Sequence, residues 1–281
     1  MTTSRETVAR LTELARQIRI SIISMLAHAG SGHSAGPLGM AEMMAVLYGE
    51  VLRHRPSEPD WPGRDLFVLS NGHTAPALYA AMAHTGYFPV SELMTLRQLG
   101  SRLQGHPERT ALPGIETTSG PLGEGLSQAA GMAQVIQYLD RCDRWVYVMM
   151  GDGELDEGNI WEAAMYAGKY QLERLIGLVD RNRIQIDGDT EQVMPLGDVA
   201  QKFRCFGWHA VDVDGHDIAA LLAAIDECRR TTGKPSVIVA ETVPGKGVPA
   251  MEGDHRWHGK VPTPQQAAAA IAALNAQGAR L

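Results

Sequence analysis

Residues 144–188 read RWVYVMMGDGELDEGNIWEAAMYAGKYQLERLIGLVDRNRIQIDG, and this stretch decides the fold. Trp145 to Met150 is a short apolar run rich in strand formers, as a buried parallel strand requires. It stops at Gly151-Asp152-Gly153. A helix fits residues 160–170, where Ile160, Ala163, Ala164 and Ala167 fall at helical spacing. Leu175 to Val179 is a second buried strand, halted at Asp180-Arg181-Asn182. Two parallel strands joined by a helix bring Asp152 and Asn182 to one carboxyl edge, where open α/β sheets bind ligands. The expected fold is α/β, a mostly parallel, doubly wound sheet with helices on both faces.

That edge has its own chemistry. Asp152 offers a carboxylate, Asn182 an amide oxygen, and the backbone nearby a carbonyl. These hard oxygens are too few to enclose an ion, so they suit Mg²⁺ or Ca²⁺ completed by phosphates and water. Gly153 lets backbone approach a phosphate closely. The amino end of the following helix is expected to point at the same spot. A lone GDG is also a common surface turn. Here it ends a strand, and Asn182 ends the next one thirty residues on from Asp152.

Working outward, residues 7–26 carry Leu11, Leu14, Ile18, Ile22 and Met25 at helical steps. The loop GSGHSAGPLG, residues 30–39, holds four glycines around His33. Leu66 to Leu69 is a strand ending in Ser70-Asn71-Gly72-His73. His106 precedes Pro107 and is held extended. Residues 117–126, TTSGPLGEGL, form another glycine loop, containing Gly120 and Leu122. Further strands fit 209–214 and 236–240, with an amphipathic helix over 218–231 between them. His255 and His258 lie in a polar stretch after the last strand, and an alanine-rich helix fits 263–281.

The 281 residues make one domain, 1–281, with no linker or repeat. Lys and Arg number 25 against 32 Asp and Glu, a net charge of −7 that argues against nucleic acid. No apolar run is long enough to cross a membrane. Three separated cysteines suit reduced thiols and a cytoplasmic location.

The spacing of GDG and Asn182 resembles the thiamine-diphosphate enzymes. Taken with GSGHSAGPLG, LSNGH, GHPE, SGPLGEGL, VDGHD and GKG…WHGK, the chain to about Pro262 looks like the amino-terminal, diphosphate-binding domain of transketolase. The resemblance implies Mg²⁺ (with Ca²⁺ or Mn²⁺ as substitutes) on Asp152, Asn182 and the Ile184 carbonyl. It implies thiamine diphosphate against His73, Gly120, Leu122, Gly153, Glu157, Asn182, Ile186 and His258, with Glu157 also at a subunit contact. His33, His73, His106 and His258 would manage the protons and hydroxyls of a sugar. Neutral imidazoles both donate and accept near pH 7, which suits that work.

A transketolase also needs a pyrimidine-binding domain with its own glutamate, and this chain has no room for one. The resemblance therefore implies the amino-terminal subunit of a split transketolase, a transferase of two-carbon ketol units between sugars or sugar phosphates. Its partner would be a carboxyl-terminal subunit, most simply in an α2β2 assembly. The alternatives are a ketol transfer on an unusual sugar or secondary metabolite, and a non-catalytic regulatory subunit. Three residues depart from the family's commonest pattern: Ser34 where proline often stands, Thr74 where a small residue is usual, and Arg183 where glycine or a similar small residue often stands.

Overall fold

The structure, a computed structural model, describes residues 4–278; residues 1–3 and the last three of the expected tail lie outside the described part. Five strands form one parallel sheet: β1 (Leu66–Leu69), β2 (Val146–Gly151), β3 (Leu175–Arg181), β6 (His209–Asp214) and β7 (Ser236–Glu241). Their order is β1-β2-β3-β7-β6. Parallel strands need crossovers, and helices supply them on both faces. The register places Gly151 beside Asp180, and Arg181 beside Glu241, so the chain leaves β2, β3 and β7 at one level.

Alternation along the strands splits the interior in two. Phe67, Leu69, Tyr147, Met149, Ile176, Leu178 and Ile238 point to one face. There they meet α1 (Arg5–Ala29), α3 (Ala41–Val46), α4 (Ala75–His84) and α9 (Ile218–Arg230). Val68, Val146, Val148, Met150, Leu175, Val179 and Val237 point to the other. They are covered by α5 (Glu124–Gln134), α6 (Gly158–Lys169) and α8 (Val199–Cys205). Both sheet faces are lined by aliphatic and aromatic side chains, so neither can slip register without exposing a row of them. The expected doubly wound α/β sheet is the observed one.

Three details differ from the sequence reading. The glycine loop 30–39 is irregular only in its first half, because Ala35–Gly39 winds into a short helix, α2. A Cβ on Gly39 would stand 3.1 Å from the Val243 carbonyl oxygen, so the close approach serves the loop after β7. Next, a hairpin follows Asn182, with β4 (Ile184–Gln185) antiparallel to β5 (Gly188–Asp189), and leads into α7 (Thr190–Val193). Finally, a 3-10 turn over Gly153–Asp156 separates Asp152 from α6, so the helix amino end stands one turn away from the expected spot. The tail is helical as α10 (Pro264–Gly278).

Candidate active site

The carboxyl edge of the sheet opens into a cleft of about 410 Å³. Asp152, Gly153, Asn182, Ile184 and Ile186 line it from β2, β3 and the hairpin. His33, His73, His106, His258, Gly120 and Leu122 line it from the surrounding loops. Every residue expected at the site is therefore in one cavity except Glu157, which is exposed and outside its walls. His255 is also exposed and outside.

The floor is a hydrogen-bonded set of acids and amides. Asp152 is 1% exposed. Its Oδ1 accepts from the Gly153 N–H at 2.8 Å, and its Oδ2 from the Arg183 N–H at 2.7 Å and Arg181 Nη1 at 3.1 Å. Asn182 Nδ2 donates to Asp180 Oδ2 at 2.8 Å, while its Oδ1 accepts from the Ile184 N–H at 3.0 Å. Thr242, just past β7, donates its hydroxyl to Asp180 Oδ1 at 2.5 Å. Asp180 therefore fixes which end of the Asn182 amide is oxygen. Burial, then the neighbouring Asp180, pushes the Asp152 carboxyl up to about 7. Burial likewise pushes Asp180 up to about 6, against the hydrogen bonds from Thr242 and Asn182.

Three imidazoles cluster in the same cleft. Ring centroids lie 4.9 Å apart for His33 and His73, 5.5 Å for His33 and His258, and 5.2 Å for His73 and His258. Burial lowers His33 to about 4, and the neighbouring His258, Arg97 and His106 add to the shift by disfavouring a further positive charge. Burial lowers His73 to about 3, helped by His33 and His258. His106 and His258 are lowered too, burial again leading. All four rings are neutral at pH 7, each with one donor and one acceptor nitrogen.

Local packing explains how loops hold these rings. Ser34 is buried and donates to the Lys260 carbonyl at 2.6 Å, tying the His258 loop to the His33 loop. Thr74 donates to the Asn71 carbonyl at 2.8 Å, bracing the turn that carries His73. Tyr79 donates to the Gln104 carbonyl at 2.9 Å, anchoring the segment before His106. Glu154, 2% exposed, knits three loops together. It accepts from the Ser70 hydroxyl, the Gly123 N–H at 2.8 Å and the Gly151 N–H at 3.1 Å. Arg183 adopts φ +62°, the left-handed region that favours glycine. Its N–H bond to Asp152 and the pairing of its guanidinium with Glu241 at 2.8 Å hold it there. All three departures from the family pattern thus have structural work.

The cleft suits a metal-bridged diphosphate on its own terms. Asp152 and Asn182 retain lone pairs beyond those already used. Among the described residues, no three His, Cys, Asp or Glu side chains converge as a complete metal cage. An ion here would draw its remaining oxygens from its ligand. Among the described residues, the buried Asn71 Oδ1 and His33 Nδ1 have no hydrogen-bond partner, and both residues line the cleft. Asn71, Asp180, Glu154 and Thr242 went unnoticed in the sequence as site residues. Only Asn71 carried a signal, its place beside His73 at a strand end.

Comparison with known proteins gives a consistent result. The family "Transketolase, thiamine diphosphate binding domain" matches residues 11–276. The 6-deoxy-6-sulfo-D-fructose transketolase subunit SqwG of Clostridium sp. (strain MSTE9) is 42% identical, covering 96% of this chain and 98% of that protein. Transketolase 2 of Xanthobacter flavus is 46% identical over 82% of this chain but only 35% of its own length. Among solved structures, transketolase from Leishmania mexicana superposes with a TM-score of 0.89 at 37% identity, covering 96% of this chain and 41% of that one.

Proposed function

This chain belongs to the transketolase family, through the thiamine diphosphate binding domain, and we propose that it is the amino-terminal subunit of a two-chain transketolase. The observation that carries the reading is the cleft that gathers Asp152 and Asn182 with His33, His73, His106 and His258. In this reading Asp152, Asn182 and the Ile184 carbonyl hold Mg²⁺, and Gly153, His73 and His258 meet the diphosphate. Leu122 and Ile186, partly exposed on the cleft wall, pack against the cofactor rings. Thiamine diphosphate supplies the nucleophilic carbon and electron sink for breaking and making the carbon–carbon bond. His33 and His106 then donate to and accept from the sugar hydroxyls and carbonyl, moving protons without a change of charge at rest.

The chain spans about two fifths of the single-chain transketolases it matches, and nearly all of the Clostridium subunit. That difference favours a separate chain carrying the pyrimidine-binding domain. A second reading is ketol transfer on an unusual sugar, supported by the printed specificity of that Clostridium relative. Substituting Asp152→Ala in the assembled enzyme tests both against a non-catalytic subunit. Loss of cofactor binding together with ketol transfer supports catalysis, and unchanged activity would sink it.

A further inference from the structure

The motif VDGHD, residues 213–217, has no part in the site described so far. It forms the turn between β6 and α9. Its two acids do local work. Asp214 Oδ1 accepts from the His216 N–H at 2.8 Å, and Asp217 caps α9 by accepting from the Ala220 N–H at 3.0 Å. His216 instead lies between the core and the segment that leaves β7. Its Nε2 accepts from the Val243 N–H at 2.8 Å. A backbone amide can only donate, so Nε2 carries no proton. The proton is on Nδ1, which donates to Glu42 Oε2 at 3.0 Å. Arg19 holds Glu42 in turn, with Nη1 2.7 Å from Oε1. Both are buried, so the carboxylate that selects this tautomer is itself fixed in place.

Two parts of the cleft hang from this node. Val243 follows Thr242, whose hydroxyl supports Asp180 and through it the Asn182 amide. A Cβ on Gly215 would stand 2.5 Å from Thr242 Cγ2, so the turn that carries His216 is pressed against that threonine. On the other side, Arg19 Nε donates to the Leu38 carbonyl at 3.0 Å, and the Gly245 N–H to the Ala35 carbonyl at 2.8 Å. Leu38 and Ala35 belong to α2, the short helix after His33.

We propose that His216 is a positioning residue for the Mg²⁺ floor of the cleft. Its bare Nε2 fixes the Val243 N–H, which keeps Thr242 against Asp180 and so keeps the Asn182 amide in its orientation. This role rests on the metal-site reading above and adds to it a residue outside the cleft lining. The bond to Glu42 serves the core; the bond to Val243 is the one that reaches the site. Outer hydrogen bonds of this kind act on ligand affinity without touching the ion.

Amide variants separate the two bonds. Superposed on the imidazole, a glutamine amide reaches the Nε2 position and can accept from Val243. An asparagine amide stops at the Nδ1 position and meets only Glu42. In the assembled enzyme, Mg²⁺ is titrated by calorimetry at a fixed excess of thiamine diphosphate, beside a thermal melt of each variant. His216→Asn and His216→Ala should weaken Mg²⁺ binding about tenfold, and His216→Gln should recover most of that loss whatever the order of the melting temperatures. Equal affinity in all the folded forms would overturn the proposal. So would affinities that follow melting temperature and leave His216→Gln no better than His216→Asn. Nitrogen NMR of the wild-type chain tests the node without any variant: Nδ1 should be protonated and Nε2 bare, and the opposite tautomer would overturn it. Failure of the metal-site reading looks different. The wild type itself would bind no Mg²⁺ while the proton stayed on Nδ1, and that result would end the positioning role as well.

Discussion

The Asn182 amide donates to Asp180 across 2.8 Å, and the same carboxylate accepts from Thr242 on its other oxygen at 2.5 Å. Asp180 thereby turns the Asn182 oxygen away from itself, to where it accepts from the Ile184 N–H at 3.0 Å. Outer partners of this kind tune ligand affinity by about ten- to a hundredfold. Asp180→Ala should weaken binding of Mg²⁺ and thiamine diphosphate by that factor while the chain stays folded. Calorimetric titration beside a thermal melt checks it, and wild-type affinity in a folded variant would contradict it.

Glu42 binds α1 to α3 from inside the core. Its two oxygens take Arg19 Nη1 at 2.7 Å and Nη2 at 2.5 Å, and His216 Nδ1 lies 3.0 Å away. Burial pushes the Glu42 carboxyl up, but Arg19 and His216 outweigh burial and hold it at about 2. Glu42→Gln leaves the buried Arg19 charge without its counter-ion, at a cost of about 3–5 kcal/mol. Replacing Arg19 and Glu42 together by leucine and methionine should cost much less. Denaturant unfolding decides, and additive losses in the double variant would contradict the account.

The histidine cluster makes stability depend on acid. The folded values of His33 and His73, about 4 and about 3, lie below their ordinary 6.5. The unfolded chain then binds more protons between these values, so their contribution is fully present above about pH 6.5 and is lost as pH falls toward 4. Melting temperature should drop across pH 6.5 to 4.5, less steeply in His73→Asn than in the wild type. Identical slopes would refute the assignment.

Arg183 holds φ +62° while pairing with Glu241. Arg183→Gly removes a left-handed strain of about 1–2 kcal/mol but adds freedom to the unfolded chain. The surface ion pair is worth less than about 1 kcal/mol. The net change should stay within about 1 kcal/mol. By contrast Arg183→Val, β-branched and unpaired, should be clearly destabilising in the same melt.

The inner strands were legible as continuous apolar runs and the edge strand 209–214 by its apolar–polar alternation, and residues 66–69 and 209–214 match their expected bounds residue for residue. The hairpin at Ile184–Gln185 and Gly188–Asp189 was not, since two-residue strands leave no periodic trace. Helix α2 was hidden by the glycines that let it pack closely. At the site, Asp152 and Asn182 could be read from strand ends, and the histidines from loop motifs matched to a family. That the His33 and His258 rings meet edge to face 5.5 Å apart is a product of folding, since 225 residues separate them in the chain. Asp180 looked like a turn residue because its task, orienting a neighbour, appears only once Thr242 is beside it.

The central claim is a cofactor site completed by a second chain. Its most direct test is to titrate thiamine diphosphate and Mg²⁺ into this chain, alone and mixed with a pyrimidine-domain transketolase chain, while following ketose cleavage. The account predicts cleavage only in the mixture, with tight cofactor binding there that Asp152→Ala abolishes. Full turnover by the chain alone, or no cofactor binding in either sample, would contradict it.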